Sequence, residues 1–406
     1  DTSRGLVGSE MCIRDSVIGG AQEAARSALE INPRLGEAYA ALGYSSWILD
    51  RNEESGGFYE RALALSPNYA DLYRWRAQQL EDGGRLEAAL AIAERSVELD
   101  PNFAPNHSIL ARIYGQSGRT ATSIGSFERA LELTPDSVFV LTQMAGSYTD
   151  IGEFGRAIAA ARRAYALNPG NGLALLYATL SYYQLGEVDE FRRWAALANQ
   201  SGRNIWAHYI AWIEFRIAGE PDLAIEEVEK LLAIRKESCE FCVLLIARDH
   251  MLGGRAETLI NLIGDYFPEL LDNDNPSVST ATVQLVAPTY WALRDTGQLT
   301  LAEQLFEAGT EVMQSHPRVA FGDYGTGIAD VTMHLVRGDR QFSLEALGDA
   351  IASGWRDRIA LAELASELRE EPVYQAAMKA IEADFANQLE WLEEQERLGN
   401  VPPFPE

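Results

Sequence analysis

This chain has little of the residue types that carry most chemistry. It holds three cysteines and five histidines in 406 residues. Three cysteines cannot build a disulfide framework. His107, His208, His250, His316 and His334 are scattered, and no two stand at metal-ligand spacing. Cations are scarce too. Lys and Arg number 34 against 60 Asp and Glu, a formal net charge of −26. An acidic surface repels phosphate backbones and anionic lipid heads, so no nucleic-acid partner is expected; basic partners are favoured instead. No apolar run reaches the roughly 18 residues that a membrane-spanning helix needs, and no signal peptide opens the chain. A phosphate loop, a Ser/His/Asp signature and a paired-carboxylate motif are all missing. No catalytic residue, metal or cofactor is therefore expected, and the acidic residues read as a solvated face.

What the chain has is a period. Pro33, Pro67, Pro101, Pro135 and Pro169 are spaced by 34 residues each time. Gly84, Gly118, Gly152 and Gly186 keep the same step. Two rows are small: Gly43, Ala77, Ala111, Ala145, Thr179, and Ala28, Ala62, Ser96, Ala130, Ala164, Ala198. Two are large: Tyr39, Tyr73, His107, Leu141, Leu175, and Leu80, Tyr114, Tyr148, Tyr182. A period of this length dictates the architecture before any single motif does. Each glycine follows a helical pattern and ends it, because Gly takes the left-handed conformation without steric cost. Each proline ends the following helix, since Pro lacks an N–H and biases the preceding residue away from helical geometry. Two helices joined by so short a turn lie antiparallel. The small rows let their axes approach within roughly 8–10 Å. One pair cannot bury its own apolar face, so pairs stack into a solenoid. Two positions depart from the pattern. Arg76 stands in the row of Leu42 and Leu110, and Phe191 replaces a small residue.

A 34-residue helix–turn–helix with these rows resembles the tetratricopeptide repeat. The resemblance implies an all-α fold, an α-α superhelix, over residues 17–203 as about five and a half repeats. Degenerate helical hairpins are expected over 204–314, turning at Gly219, Gly253–Gly254 and Gly297, with LDNDNPSVSTATVQ as a loop. SHPRVAFGDYGTG reads as irregular. A last pair and a long charged capping helix fill 315–396, and 397–406 reads as a flexible tail. Residues 1–16 have no apolar period and contain Gly5 and Gly8. The string VGSEMCIRDS resembles a translated sequencing-adapter artefact, so this stretch is expected to be a non-native leader on a chain cut through a repeat.

Cys239-Glu240-Phe241-Cys242 is a lone CxxC. Metal binding, redox chemistry and a local disulfide are each open to it, but a zinc site needs about four ligands. Packing of two small apolar residues in a helix is the expectation.

In tetratricopeptide arrays the first helix of each pair lines a concave groove, and the resemblance implies the same face here for a protein or peptide partner. Stepping by the repeat, the groove residues are Arg74 and Gln78, Ser108 and Arg112, Phe139 and Thr142, then Leu173, Leu176, Leu180 and Tyr183, then Trp206 and Tyr209. The face runs from polar and basic to apolar and aromatic. A helix apolar on both stripes must bury both. The second stripe of 172–185, Leu173, Leu176, Leu180 and Tyr183, is expected to be the partner site; the alternative is that the chain's own later helices cover it. The stretch SGWRDRIALAELASELREEPVY and the charged helix after it resemble the closing segment of repeat regions in bacterial signalling proteins, which carry an adenylate/guanylate cyclase or winged-helix domain. That implies a non-catalytic scaffold. A rival reading places a small molecule in a cavity within 204–345, lined by Trp206, Tyr209, Trp212, Tyr290 and Trp291.

Overall fold

The computed structural model describes residues 2–49, 51–200, 205–235, 239–279, 281–315 and 328–405. Among these the regular structure is helical, with no strand. α1 (Thr2–Ile31) is followed by five pairs: α2 (Gly36–Ile48) with α3 (Asn52–Leu65), α4 (Ala70–Asp82) with α5 (Leu86–Leu99), α6 (Ala104–Gln116) with α7 (Thr120–Leu133), α8 (Val138–Asp150) with α9 (Phe154–Leu167), and α10 (Gly172–Leu185) with α11 (Val188–Gln200). Second helices begin at Asn52, Leu86, Thr120, Phe154 and Val188, which keeps the 34-residue step. Each of the second helices α3, α5, α7 and α9 stops two residues before its proline. Gly84, Gly118, Gly152 and Gly186 have φ of 70°, 73°, 78° and 85°, the left-handed turn that only glycine takes without strain.

The weaker pairs follow the same rule. They are α12 (Ile205–Ala218) with α13 (Pro221–Arg235), α14 (Glu240–Leu252) with α15 (Ala256–Tyr266), α16 (Val286–Asp295) with α17 (Leu299–Ser315), and α18 (Ala329–Arg337) with α19 (Arg340–Ala352). Gly219, Gly254, Gly297 and Gly338 turn them, all at positive φ. Residues 316–327, the segment read as irregular, lie outside the described residues. A short α20 (Arg358–Leu364) and the long α21 (Pro372–Arg397) close the sequence of elements.

The chain forms two compact units. Unit 1 holds residues 1–114 and 119–135; unit 2 holds 115–118 and 136–406. In unit 1 the core is a series of small clusters, each made by neighbouring helices. Tyr39, Ala40, Tyr59, Ala62 and Leu72 form one, and Ala77, Leu80, Ala89, Ala93, Ile109, Leu110 and Ile113 another. The small row is fully buried at Ala77 and Ala111, and a Cβ on Gly43 would stand 2.9 Å from the Tyr59 ring. In unit 2 a large cluster runs from Ala145 to Val401.

One sequence expectation is overturned here, the packing of Cys239 and Cys242 as free side chains. The boundary between the compact units falls at residue 136, because the repeats from α8 onward share their core with the C-terminal helices. Residues 2–16 are helical and continuous with 17–31. Two glycines cost about 1 kcal/mol each in a helix, which does not stop an existing helix from propagating. From Val17 onward, the first buried residues of α1 are Gln22 and Ala25. Residues 400–405 form neither helix nor strand, and Val401 is buried. Cys239 and Cys242 are joined as a disulfide at the start of α14, with Cα atoms 5.1 Å apart, inside the range that a bridge spans.

Candidate functional site

In unit 1 the first-helix face carries a half-buried aromatic cluster, of which Tyr44, Tyr69 and Trp75 pack against the core. Tyr44 and Trp47 stand one turn apart on α2, ring centres 5.6 Å apart. Trp75 of α4 lies 5.1 Å from Tyr44, and Tyr69 meets Trp75 edge-on at 6.2 Å. All four rings are half-buried. The Arg74 guanidinium sits 5.5 Å from the Trp75 ring and 5.7 Å from that of Phe103. It donates to Asp71 Oδ1 at 2.8 Å. Gln78 follows one turn on, half-buried. Arg112 of α6 pairs with the Glu81 carboxylate of α4, which is 1% exposed and needs that cation. Burial pushes the Asp82 carboxyl up, against the pull of Arg112. A cavity of about 390 Å³ opens at the end of this face, lined by Trp47, Ile48, Asn52, Gln79, Asp82 and Gly83. Arg76, the departure from the apolar row, lays its guanidinium over Tyr59 and donates to Gln79. Long stems cover apolar surface in this way while the head stays bonded.

Not every predicted groove residue faces outward. Ser108 is 1% exposed and donates to the Ala104 carbonyl. Thr142, in unit 2, donates to the Val138 carbonyl and accepts from Asn171 Nδ2, each at 2.7 Å. Phe139 and Leu173 are exposed at the starts of α8 and α10. Leu176, Leu180 and Tyr209 are buried in the core of unit 2, and Tyr183 and Trp206 pack against it.

The expectation of an open partner site there is corrected, because the chain itself buries Leu176 and Leu180 and packs Tyr183 against its core, leaving only Leu173 exposed. Glu363 of α20 accepts from Arg216 Nη2 of α12 at 2.6 Å and from Arg248 of α14. Arg216 also pairs with the buried Asp249, which accepts from the Trp212 indole N–H at 2.9 Å. Burial of Glu363 opposes its ionisation, but Arg248 and Arg216 outweigh it and hold the carboxyl below its ordinary range. The Tyr183 phenol is pushed up to about 12 by burial, helped by Glu363. Arg358 of α20 reaches Gly186, where a Cβ would lie 2.8 Å from its Nη2.

The aromatic set of the rival reading is packed and bonded inside unit 2. Tyr209 stacks on Trp212 at 5.6 Å and meets Phe241 edge-on at 4.9 Å. Tyr290 donates to Glu303 at 2.7 Å and lies against Phe306. Among the described residues no three His, Cys, Asp or Glu side chains are grouped as a metal site requires, and no helix is long and apolar enough to cross a membrane.

Stepping back 34 residues from Gln78 and Glu81 reaches Tyr44 and Trp47, so the repeat could have found them. Trp75 lies one position off the Arg74 row, and no row carries it.

Residues 36–69 and 104–137 match the family model described as tetratricopeptide repeat. These two segments are tetratricopeptide repeats. Both matched segments fall in the pairs of unit 1 and its border. No curated protein matches the chain. Solved structures that resemble it include YrrB, described as a tetratricopeptide-repeat protein with an unusual peptide-binding site. It is 17% identical at a TM-score of 0.36, over 48% of this chain and 100% of that one. PilF of Pseudomonas aeruginosa is 16% identical at 0.38, over 49% and 92%. A structure of the APC/C hetero-tetramer Cut9–Hcn1 is 14% identical at 0.49, over 84% and 62%.

Proposed function

We propose that the chain is a non-catalytic interaction scaffold and that it holds a segment of a protein partner on the first-helix face of unit 1. The observation that carries this is the cluster of Tyr44, Trp47, Trp75, Arg74 and Phe103. Rigid aromatic and Arg side chains dominate binding surfaces because they bury much area at small entropic cost. Arg74 and Arg112 already have carboxylate partners, so the anchor of the partner is apolar or aromatic. The net charge of −26 favours basic residues flanking it.

Peptides selected from a displayed library on the full chain test this. Binders should carry an apolar or aromatic anchor and lose about thirtyfold or more in affinity to the folded Trp75→Ala variant, the size of a central hot spot. Binders indifferent to Trp75→Ala and Tyr44→Ala would overturn the assignment.

The resemblance of SGWRDRIALAELASELREEPVY to repeat regions of bacterial signalling proteins supports a finer reading, in which this array is the sensory or scaffolding part of such a regulator. The genomic sequence upstream of residue 17 tests it. A cyclase or winged-helix domain there supports the reading; a start codon among biosynthetic genes contradicts it.

A further inference from the structure

Beyond the face of unit 1, unit 2 holds a peptide-like segment of its own that is neither helix nor strand. α21 ends at Arg397, Gly399 turns the chain at φ 77°, and residues 400–405 run back without helix or strand bonds. Two prolines, Pro402 and Pro403, remove backbone donors and favour the polyproline conformation. The segment nevertheless has specific contacts. The Pro402 carbonyl accepts from Arg162 Nη2 of α9. Arg162 is 6% exposed and also donates to Glu396 and, at 3.2 Å, to the Tyr182 hydroxyl. The Phe404 ring stands edge-on to Trp194 of α11 at 5.4 Å, and the Arg193 guanidinium covers it at 3.9 Å. Tyr165 of α9 flanks Trp194 at 5.5 Å.

We propose that this surface of α9 and α11 is a recognition site for proline–aromatic peptide segments, which residues 400–405 occupy in cis. The parts divide as such sites do. A buried arginine reads a main-chain carbonyl, which any non-helical segment offers. A slot between an indole and a guanidinium reads one aromatic side chain. Prolines lower the entropy that the ligand loses on binding. Trp194 is 1% exposed, and its indole N–H has no acceptor. A partner segment that supplies one there binds better than the chain's own. The cis segment is tethered, so its effective concentration is high and it suppresses binding in trans.

The test uses the full chain and a fluorescein-labelled synthetic peptide with the sequence of residues 400–405, read by fluorescence polarisation. Phe404→Ala should bind the peptide at least about tenfold more tightly than the unaltered chain, because the tethered competitor has lost its anchor. A peptide with Ala in place of the Phe should not bind. Adding Arg193→Ala to Phe404→Ala should weaken the binding again. Pro402→Gly with Pro403→Gly serves as a second variant if Phe404→Ala does not fold, and it too should raise peptide affinity. A folded variant that binds the peptide no more tightly than the unaltered chain, or binds the Ala peptide equally well, overturns the proposal. Failure of Trp75→Ala to matter in the unit 1 experiment leaves this one unaffected.

Discussion

At the scale of single residues, a repeating hydrogen bond explains a substitution that the pattern leaves unexplained. Tyr39 and Tyr73 donate through their hydroxyls to the carbonyls of Pro33 and Pro67, six residues back, at 3.3 and 2.8 Å. His107 makes the same contact with Pro101, Nε2 to oxygen, at 2.8 Å. The row therefore asks for a donor at a fixed reach from the turn. Leu141 and Leu175 fill the same position as core residues without it. His107→Phe should cost about 0.5–1.5 kcal/mol, the net worth of one such bond, while His107→Tyr should keep it. Urea unfolding of the three proteins decides this, and equal midpoints for Phe and Tyr would show the bond to be idle. Sequence alone placed His107 in a packing row, since the period fixes position. It could not show the bond, which depends on how far a side chain reaches.

At the scale of elements, regular helices were legible and the short closing pieces were not. The turns at Gly84, Gly118, Gly152, Gly186, Gly219, Gly254 and Gly297 follow from the sequence because one left-handed residue ends each first helix. α20 has seven residues, too few for an apolar period to declare itself. Residues 400–405 have a composition that reads as solvated chain, and only Arg162, Arg193 and Trp194, more than 200 residues earlier in the sequence, show otherwise. α20 is held by charge. Its Glu363 has a folded value below the ordinary 4.5, so its contribution is complete above that pH and is lost as pH falls through the lowered value. The melting temperature should drop as pH goes below 4.5, and Glu363→Gln should lower it at pH 7 while flattening the acid fall. An acid fall of unchanged size in Glu363→Gln would assign it to other carboxylates.

At the scale of the molecule, the same repeat is used in two ways. Unit 1 keeps neighbour-only clusters, the economy of an open array, in which stability adds up pair by pair. Unit 2 has a large cluster that joins repeat helices to the C-terminal ones, from Ala145 to Val401. The sequence showed that α10 is apolar on both stripes, with Leu173, Leu176, Leu180 and Tyr183 opposite Leu175, Ala178 and Tyr182. It could not say what covers the second stripe, because the covering parts lie about 180 residues away and follow no repeat rule. In the structure α20 is tied to α12 and α14 through Glu363, and Leu176 and Leu180 are 4% and 6% exposed inside the core of unit 2. On the proposed reading the partner binds the first-helix face of unit 1, since Leu176 and Leu180 of α10 are buried. Thermal unfolding of the full chain carrying Leu176→Asp with Leu180→Asp, followed by circular dichroism, tests this most directly. Two carboxylates forced into that core cost several kcal/mol, so the variant should lose its cooperative transition or aggregate. A variant that melts like the unaltered chain yet no longer binds the selected peptides would contradict the account, because the leucine stripe would then be an open partner site.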